Sequence, residues 1–113
     1  MSRGTFTTGG GKVFFARRYE SGDFFASVAE PGWQLHEGEG QRTHVSAIRF
    51  ARGFATAPRV VLGVSGLDTE KHTGTRFNVS ARNVSREGFD LCIRTWGDTK
   101  VLAIEVGWLA RGE

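Results

Sequence analysis

Between Gly88 and Ala110 the side chains alternate in character with a period of two, and this pattern restricts the fold more than any other feature of the chain. Successive residues of a strand point to opposite faces. Phe89, Leu91 and Ile93 therefore share one face, and Asp90, Cys92, Arg94 and Trp96 share the other. A polar turn, Gly97-Asp98-Thr99-Lys100, follows, and then Leu102, Ile104, Val106 and Trp108 form a second inward row. No window of the sequence has a helical period.

The same alternation begins at His44. Ile48 and Phe50 point one way and Arg49 the other. Val60, Leu62 and Val64 form a further inward set. From Thr75 to Val84, Phe77, Val79 and Ala81 face inward, and Arg76, Asn78, Ser80 and Arg82 face out. Arg86-Glu87-Gly88 supplies a turn. Earlier in the chain, Val13–Tyr19 and Asp23–Ala29 read as short strands with Ser21-Gly22 as the turn between them. Phe14-Phe15 and Phe24-Phe25 place aromatics on both faces, which suits a sheet packed on two sides or a subunit contact. Pro31-Gly32 breaks the chain, and Trp33–Gly40 forms a loop holding Glu37, Gly38 and Glu39. Six or seven short strands joined by regular turns indicate an all-β antiparallel sandwich. The expected organisation is an N-terminal arm over residues 1–12, rich in threonine and glycine, and one sandwich domain over residues 13–113.

Composition narrows the function. The net charge of +3 comes from twelve arginines and three lysines set against twelve carboxylates. The arginines are scattered and interleaved with acids, unlike the basic stripe of a nucleic-acid binder. The single cysteine, Cys92, can form neither an internal disulfide nor a cysteine metal site within one chain. His36, His44 and His72 have no metal-ligand spacing, so no cofactor is expected. The N-terminus has no apolar run of the signal-peptide kind, and no segment has the length of a transmembrane helix. The expectation is a soluble chain without membrane insertion, cytoplasmic or carried on a particle or extracellular surface. Catalysis is not expected. Glu37 and Glu39 lie in one glycine-rich loop, not on opposed walls of a cleft. Ser65-Gly66 is not a strand-to-helix nucleophile elbow. Gly9–Lys12 lacks the strand and helix that a phosphate loop needs.

The outward face that carries Arg76, Arg82, Arg94 and Trp96 reads in two ways. It is a solvated face with weak surface ion pairs, or it is a ligand platform. An exposed tryptophan beside arginines favours the platform.

The ordered set Ile48-x-Phe50, Phe54, Pro58-x-Val60, Leu67-Asp68, Arg76-Phe77-x-Val79-x-Ala81, Asn83-Val84, Gly88-Phe89, Thr95-Trp96-x-Asp98-Thr99 and Val106-x-Trp108-x-Ala110 resembles the H-type lectin domain, over about His44 to Ala110. The resemblance implies a six-stranded antiparallel sandwich, assembly as a homotrimer, and non-catalytic binding of terminal galactose or N-acetylgalactosamine near subunit boundaries. Its sugar-binding arginine falls on Arg76 and its aromatic platform on Trp96. Its acidic residue, an aspartate in the family, falls on Glu39. The family's histidine after the tryptophan is Gly97 here, which removes a donor to the sugar. The chemistry is coherent by itself. Trp96 can cover the C–H face of a pyranose, a contact worth on the order of 1 kcal/mol. Arg76 donates a fixed fork of N–H groups, and Glu39 accepts from neighbouring hydroxyls. An anionic sugar would use the arginines instead. A second function class stays open beside this one: a trimeric attachment head, on a spike or fibre of a phage-like particle, that binds a bacterial surface polysaccharide.

Overall fold

The computed structural model describes the backbone of residues 5–8 and 11–14 and the whole of residues 18–113. Eight strands follow in order: β1 (Thr5–Thr8), β2 (Gly11–Phe14), β3 (Arg18–Ser27), β4 (Arg42–Arg49), β5 (Arg59–Thr69), β6 (Phe77–Arg82), β7 (Gly88–Thr95) and β8 (Val101–Gly112). The described residues contain no helix. β1 and β2 pair as an antiparallel ribbon. The other six strands form two three-stranded antiparallel sheets, ordered β3-β8-β5 and β4-β7-β6. The chain is thus an all-β sandwich of six strands, as its alternation requires. Of the segment read as an arm, residues 1–4 and 9–10 lie outside the described residues, as do residues 15–17 of the first expected strand.

The run that dominates the sequence supplies the middle strand of each sheet. Phe89, Leu91 and Ile93 of β7 face Ile104, Val106 and Ala110 of β8 across the core, and all six are buried. The segment between them is not a hairpin turn, because β7 and β8 pair with other strands and belong to different sheets. It crosses from one layer to the other. One end of the core is closed by the loop after β3. Trp33 and Leu35 are buried there, Trp33 donates from Nε1 to the Val101 carbonyl at 2.9 Å, and the Leu35 carbonyl accepts from the Val101 amide at 2.9 Å. Burying side chains of this size contributes about 2 kcal/mol each. The other end holds an aromatic cluster of Phe50, Phe54, Phe89 and Trp108, with ring centroids 5.0–6.0 Å apart.

Sequence expectations change on β3 and β5. Ser21-Gly22 is not a turn, since β3 runs unbroken through it in register with β8. Gly22 lies opposite Trp108, and a Cβ there would stand 2.7 Å from the indole, so the glycine makes room for the ring. Val64 keeps the inward register, opposite the buried Val106, but on this edge strand it remains 37% exposed. Pairing with β8 shifts just after it, between Val64 and Gly66, and this bulge turns Leu67 onto the core, where the strict period would point it outward. By contrast, Asn83–Glu87 does form the β6–β7 hairpin turn, with Asn83 at φ 52° and the Ser85 amide bonded to the Gly88 carbonyl at 2.8 Å. Cys92 is a buried free thiol on the outward side of β7, between Val45 of β4 and Ser80 of β6.

Candidate functional site

The crossing from β7 to β8 and the loop before β4 meet at one end of the sandwich. Thr95 ends β7 with its side chain buried, so the next residue, Trp96, is turned outward, and it remains 38% exposed. Gly97 then takes φ 69°, a left-handed conformation that glycine adopts without strain. Its carbonyl accepts from the Gly40 amide at 2.9 Å and from Arg42 Nη2 at 3.0 Å. Arg42 also donates to the carbonyls of Gly40, Glu37 and Leu35. One guanidinium therefore ties the Leu35–Gly40 loop to the tryptophan turn. Glu39 sits between Gly38 and Gly40, both left-handed, at φ 65° and 79°. It is exposed, and its carboxylate has no hydrogen-bond or ion-pair partner among the described residues.

Arg76 reaches the same place from the other side. Its residue lies one step ahead of β6, in line with Trp96 by the β6–β7 register. Two buried threonines fix its backbone. Thr99 Oγ1 accepts from the Arg76 amide at 2.9 Å, and Thr95 Oγ1 donates to its carbonyl at 2.5 Å. The guanidinium occupies a slot between two glycines. A Cβ on Gly74 would lie 2.7 Å from Arg76 Nη1, and one on Gly97 would lie 3.3 Å from it. Asp98 holds the open end, accepting from the Gly74 amide at 3.1 Å and standing 3.8 Å from Arg76 Nη1. Both partners are about half exposed, so this pair orients the arginine more than it stabilises the fold.

Arg76, Trp96 and Gly97 are therefore neighbours, and the Gly40–Gly97 hydrogen bond brings the Glu39 loop alongside them. Lys100 Nζ, which donates to the Gly38 carbonyl at 3.4 Å, adds a weak second tie. Side-chain pattern does not single out Arg42, the strap, and it marks Asp98-Thr99 only as turn chemistry. Asp98 and Thr99 also set the position of Arg76. The signal for them is the spacing Thr95-Trp96-x-Asp98-Thr99 itself, which places a hydroxyl on either side of the turn.

A shallow exposed indole, a guanidinium and an uncommitted carboxylate make a surface suited to a polar ligand with one apolar face. Among the described residues no group of histidine, cysteine or carboxylate side chains is placed to hold a metal ion.

A family model for the H-type lectin domain matches residues 45–111. The chain belongs to this family. It is a carbohydrate-binding lectin domain and not an enzyme. A Fuscovulum blasticum protein called ATP synthase subunits region ORF 7 is 33% identical over 88 residues, 78% of this chain and 76% of that one. Discoidin-2 of Dictyostelium discoideum is 31% identical over 77 residues, which is 67% of this chain and 30% of the discoidin. The solved structure of recombinant discoidin II from the same organism superposes with a TM-score of 0.72 at 25% identity, over 88% of this chain and 39% of that one. The lectin domain thus spans well under half the length of the discoidins it matches.

Gly97, where the resemblance places a histidine, has a second consequence visible in the geometry. A side chain at this left-handed position would be strained and would crowd Arg76 Nη1. In this lectin the glycine lets the arginine lie close over the turn.

Proposed function

We propose that this lectin domain binds terminal galactose-type or N-acetylgalactosamine-type glycans, and that it does so as a homotrimer presenting several shallow sites together. The observation that carries the site is Trp96, held exposed at the layer crossing with Arg76 beside it and the Glu39 loop strapped to its turn. The indole covers the C–H face of the pyranose. Arg76 donates to ring or hydroxyl oxygens, and Glu39 accepts from a hydroxyl pair. Gly97 contributes backbone and space in place of a donor.

The outer face of the β3-β8-β5 sheet supports the assembly. Tyr19, Phe25, Val61 and Leu109 are exposed on it. Beside Val61 and Leu109 a groove of about 500 Å³ runs along Gly63 and Gly107, with Ser21 and Asp23 as its polar wall. A Cβ on Gly63 would meet nothing within 4 Å, so packing inside the chain does not require glycine there. Exposed apolar patches of this kind commonly mark a protein interface. Sites of modest individual affinity become effective when several are displayed on one particle.

The test is a glycan array with the purified protein, with its mass in solution measured on the same sample. A trimer that binds galactose-type termini is expected. Trp96→Ala and Arg76→Ala should each weaken binding about tenfold or more, with an unchanged unfolding midpoint. Binding that survives both changes removes the site from this end of the sandwich. Binding to bacterial polysaccharides alone moves the target to the attachment class.

A further inference from the structure

Arg94 stands directly behind Trp96, and its chemistry differs from that of its neighbours. The other arginines of the site have partners: Arg42 holds backbone carbonyls, and Arg76 stands 3.8 Å from Asp98. Arg94 has neither kind of partner among the described residues. Its guanidinium carbon lies 5.5 Å from the Trp96 ring centroid, near the outer limit of a cation–π contact. Its Nε is buried and makes no hydrogen bond. Across the strands its register partners are Thr43 of β4 and Asn78 of β6, both uncharged.

The nearest acid on the outward side of β7 is Asp90, four residues back along the strand. Four residues of strand correspond to about 13 Å, and Asp90 already accepts from Asn83 Nδ2 at 2.8 Å. This outer face also carries Arg49 and Arg82. Beside the indole there is thus a half-buried cation with no anion of its own among the described residues, on a face rich in arginine. A carboxylate or sulfate ester suits this position. It would accept from the guanidinium fork.

We infer that Arg94, flanked by Asn78 and Thr43, forms an anion subsite next to the Trp96 platform, which selects glycans bearing a carboxylate or sulfate on or beside the stacked sugar. This rests on the reading of Trp96 as the sugar platform. An ion pair to a half-buried guanidinium is stronger than one in open solvent, so the subsite is a specificity element and not a general attraction.

The experiment compares three probes on neoglycoprotein supports: a galactoside, the matching galacturonide and a sulfated galactoside. Each is measured against the wild type, Arg94→Gln, Arg94→Lys and Trp96→Ala. The readout is the ratio of anionic to neutral affinity within one variant, which cancels any change in the indole that affects both probes equally. The wild type is expected to favour at least one anionic probe by roughly tenfold, and the preference should shrink at high salt. Arg94→Gln should bring the ratio to about one, and Arg94→Lys should keep part of it. Whether galacturonide or sulfated galactoside gains more identifies the anion. A wild-type ratio near one with measurable neutral binding overturns the subsite and leaves the platform standing. A ratio unchanged in Arg94→Gln assigns the preference to other cations and also overturns the subsite. Full binding of all probes by Trp96→Ala overturns the platform reading and the subsite with it.

Discussion

The two outer faces of the sandwich are built on the same pleat but have opposite surfaces. The β3-β8-β5 face shows Tyr19, Phe25, Val61 and Leu109, with Asp23 and Glu105 among them, and a groove that runs along Gly63 and Gly107. The β4-β7-β6 face shows Arg49, Arg82 and Arg94, with Val45 as its exposed large aliphatic residue. Glycine is used differently on the two sheets as well. At Gly63 the missing side chain leaves open space, whereas a Cβ on Gly88 would run into the carbonyl of Ile48 on β4. A glycine needed for the chain's own packing and a glycine needed for nothing inside the chain are different kinds of evidence. The second kind points outside the molecule. One face is thereby suited to another protein surface and the other to solvent and ligand.

This contrast can be broken at several points. The largest effect is expected at Gly88. Gly88→Ala forces two backbones apart and should cost about 3 kcal/mol or more, read as a lowered denaturant midpoint. An unchanged midpoint would mean that β4 does not approach so closely. A charge in the apolar face comes next. Val61→Asp should convert the proposed trimer to monomer, because a carboxylate buried at an interface costs on the order of 3 kcal/mol. Val45→Asp on the opposite face should leave the solution mass unchanged. Equal behaviour of the two would erase the distinction between the faces. The smallest and sharpest change is Gly63→Ala. It should alter monomer stability by no more than about 0.5 kcal/mol and yet weaken association by filling the groove. A loss of stability without any shift in mass would return Gly63 to the class of Gly88.

How much of this is legible in the sequence depends on how each strand is buried. β7 and β8 lie in the middle of their sheets, so their alternation is clean and both inward rows can be read directly. β3 and β5 are edge strands, and there the pattern misleads. Gly22 looks like turn chemistry because a glycine beside a serine usually is. Its reason is the Trp108 ring packed against it, and that ring is far away in sequence. Leu67 falls out of period with Val60, Leu62 and Val64, yet it packs on the core because a bulge resets the face after Val64, and alternation has no means of announcing a bulge. At the proposed site, Trp96 and Arg76 stand out in the sequence through the family resemblance, and the β6–β7 register sets them side by side. The part played by Arg42 does not, because its partners are backbone carbonyls, which leave no trace in side-chain identity. Counting along the chain places the Glu39 loop upstream of β4, and only the Gly40–Gly97 bond puts it beside the tryptophan.

That strap has a kinetic consequence. Arg42 gathers four carbonyls from two separate segments, so the walls of the site are arranged before any ligand arrives. Little loop freedom is left to lose on recognition, and conformational entropy opposes the encounter less than it would in a mobile pocket. Association should therefore proceed in a single exponential step at a rate set by diffusion and orientation, and the sugars the domain prefers should be distinguished by how slowly they leave.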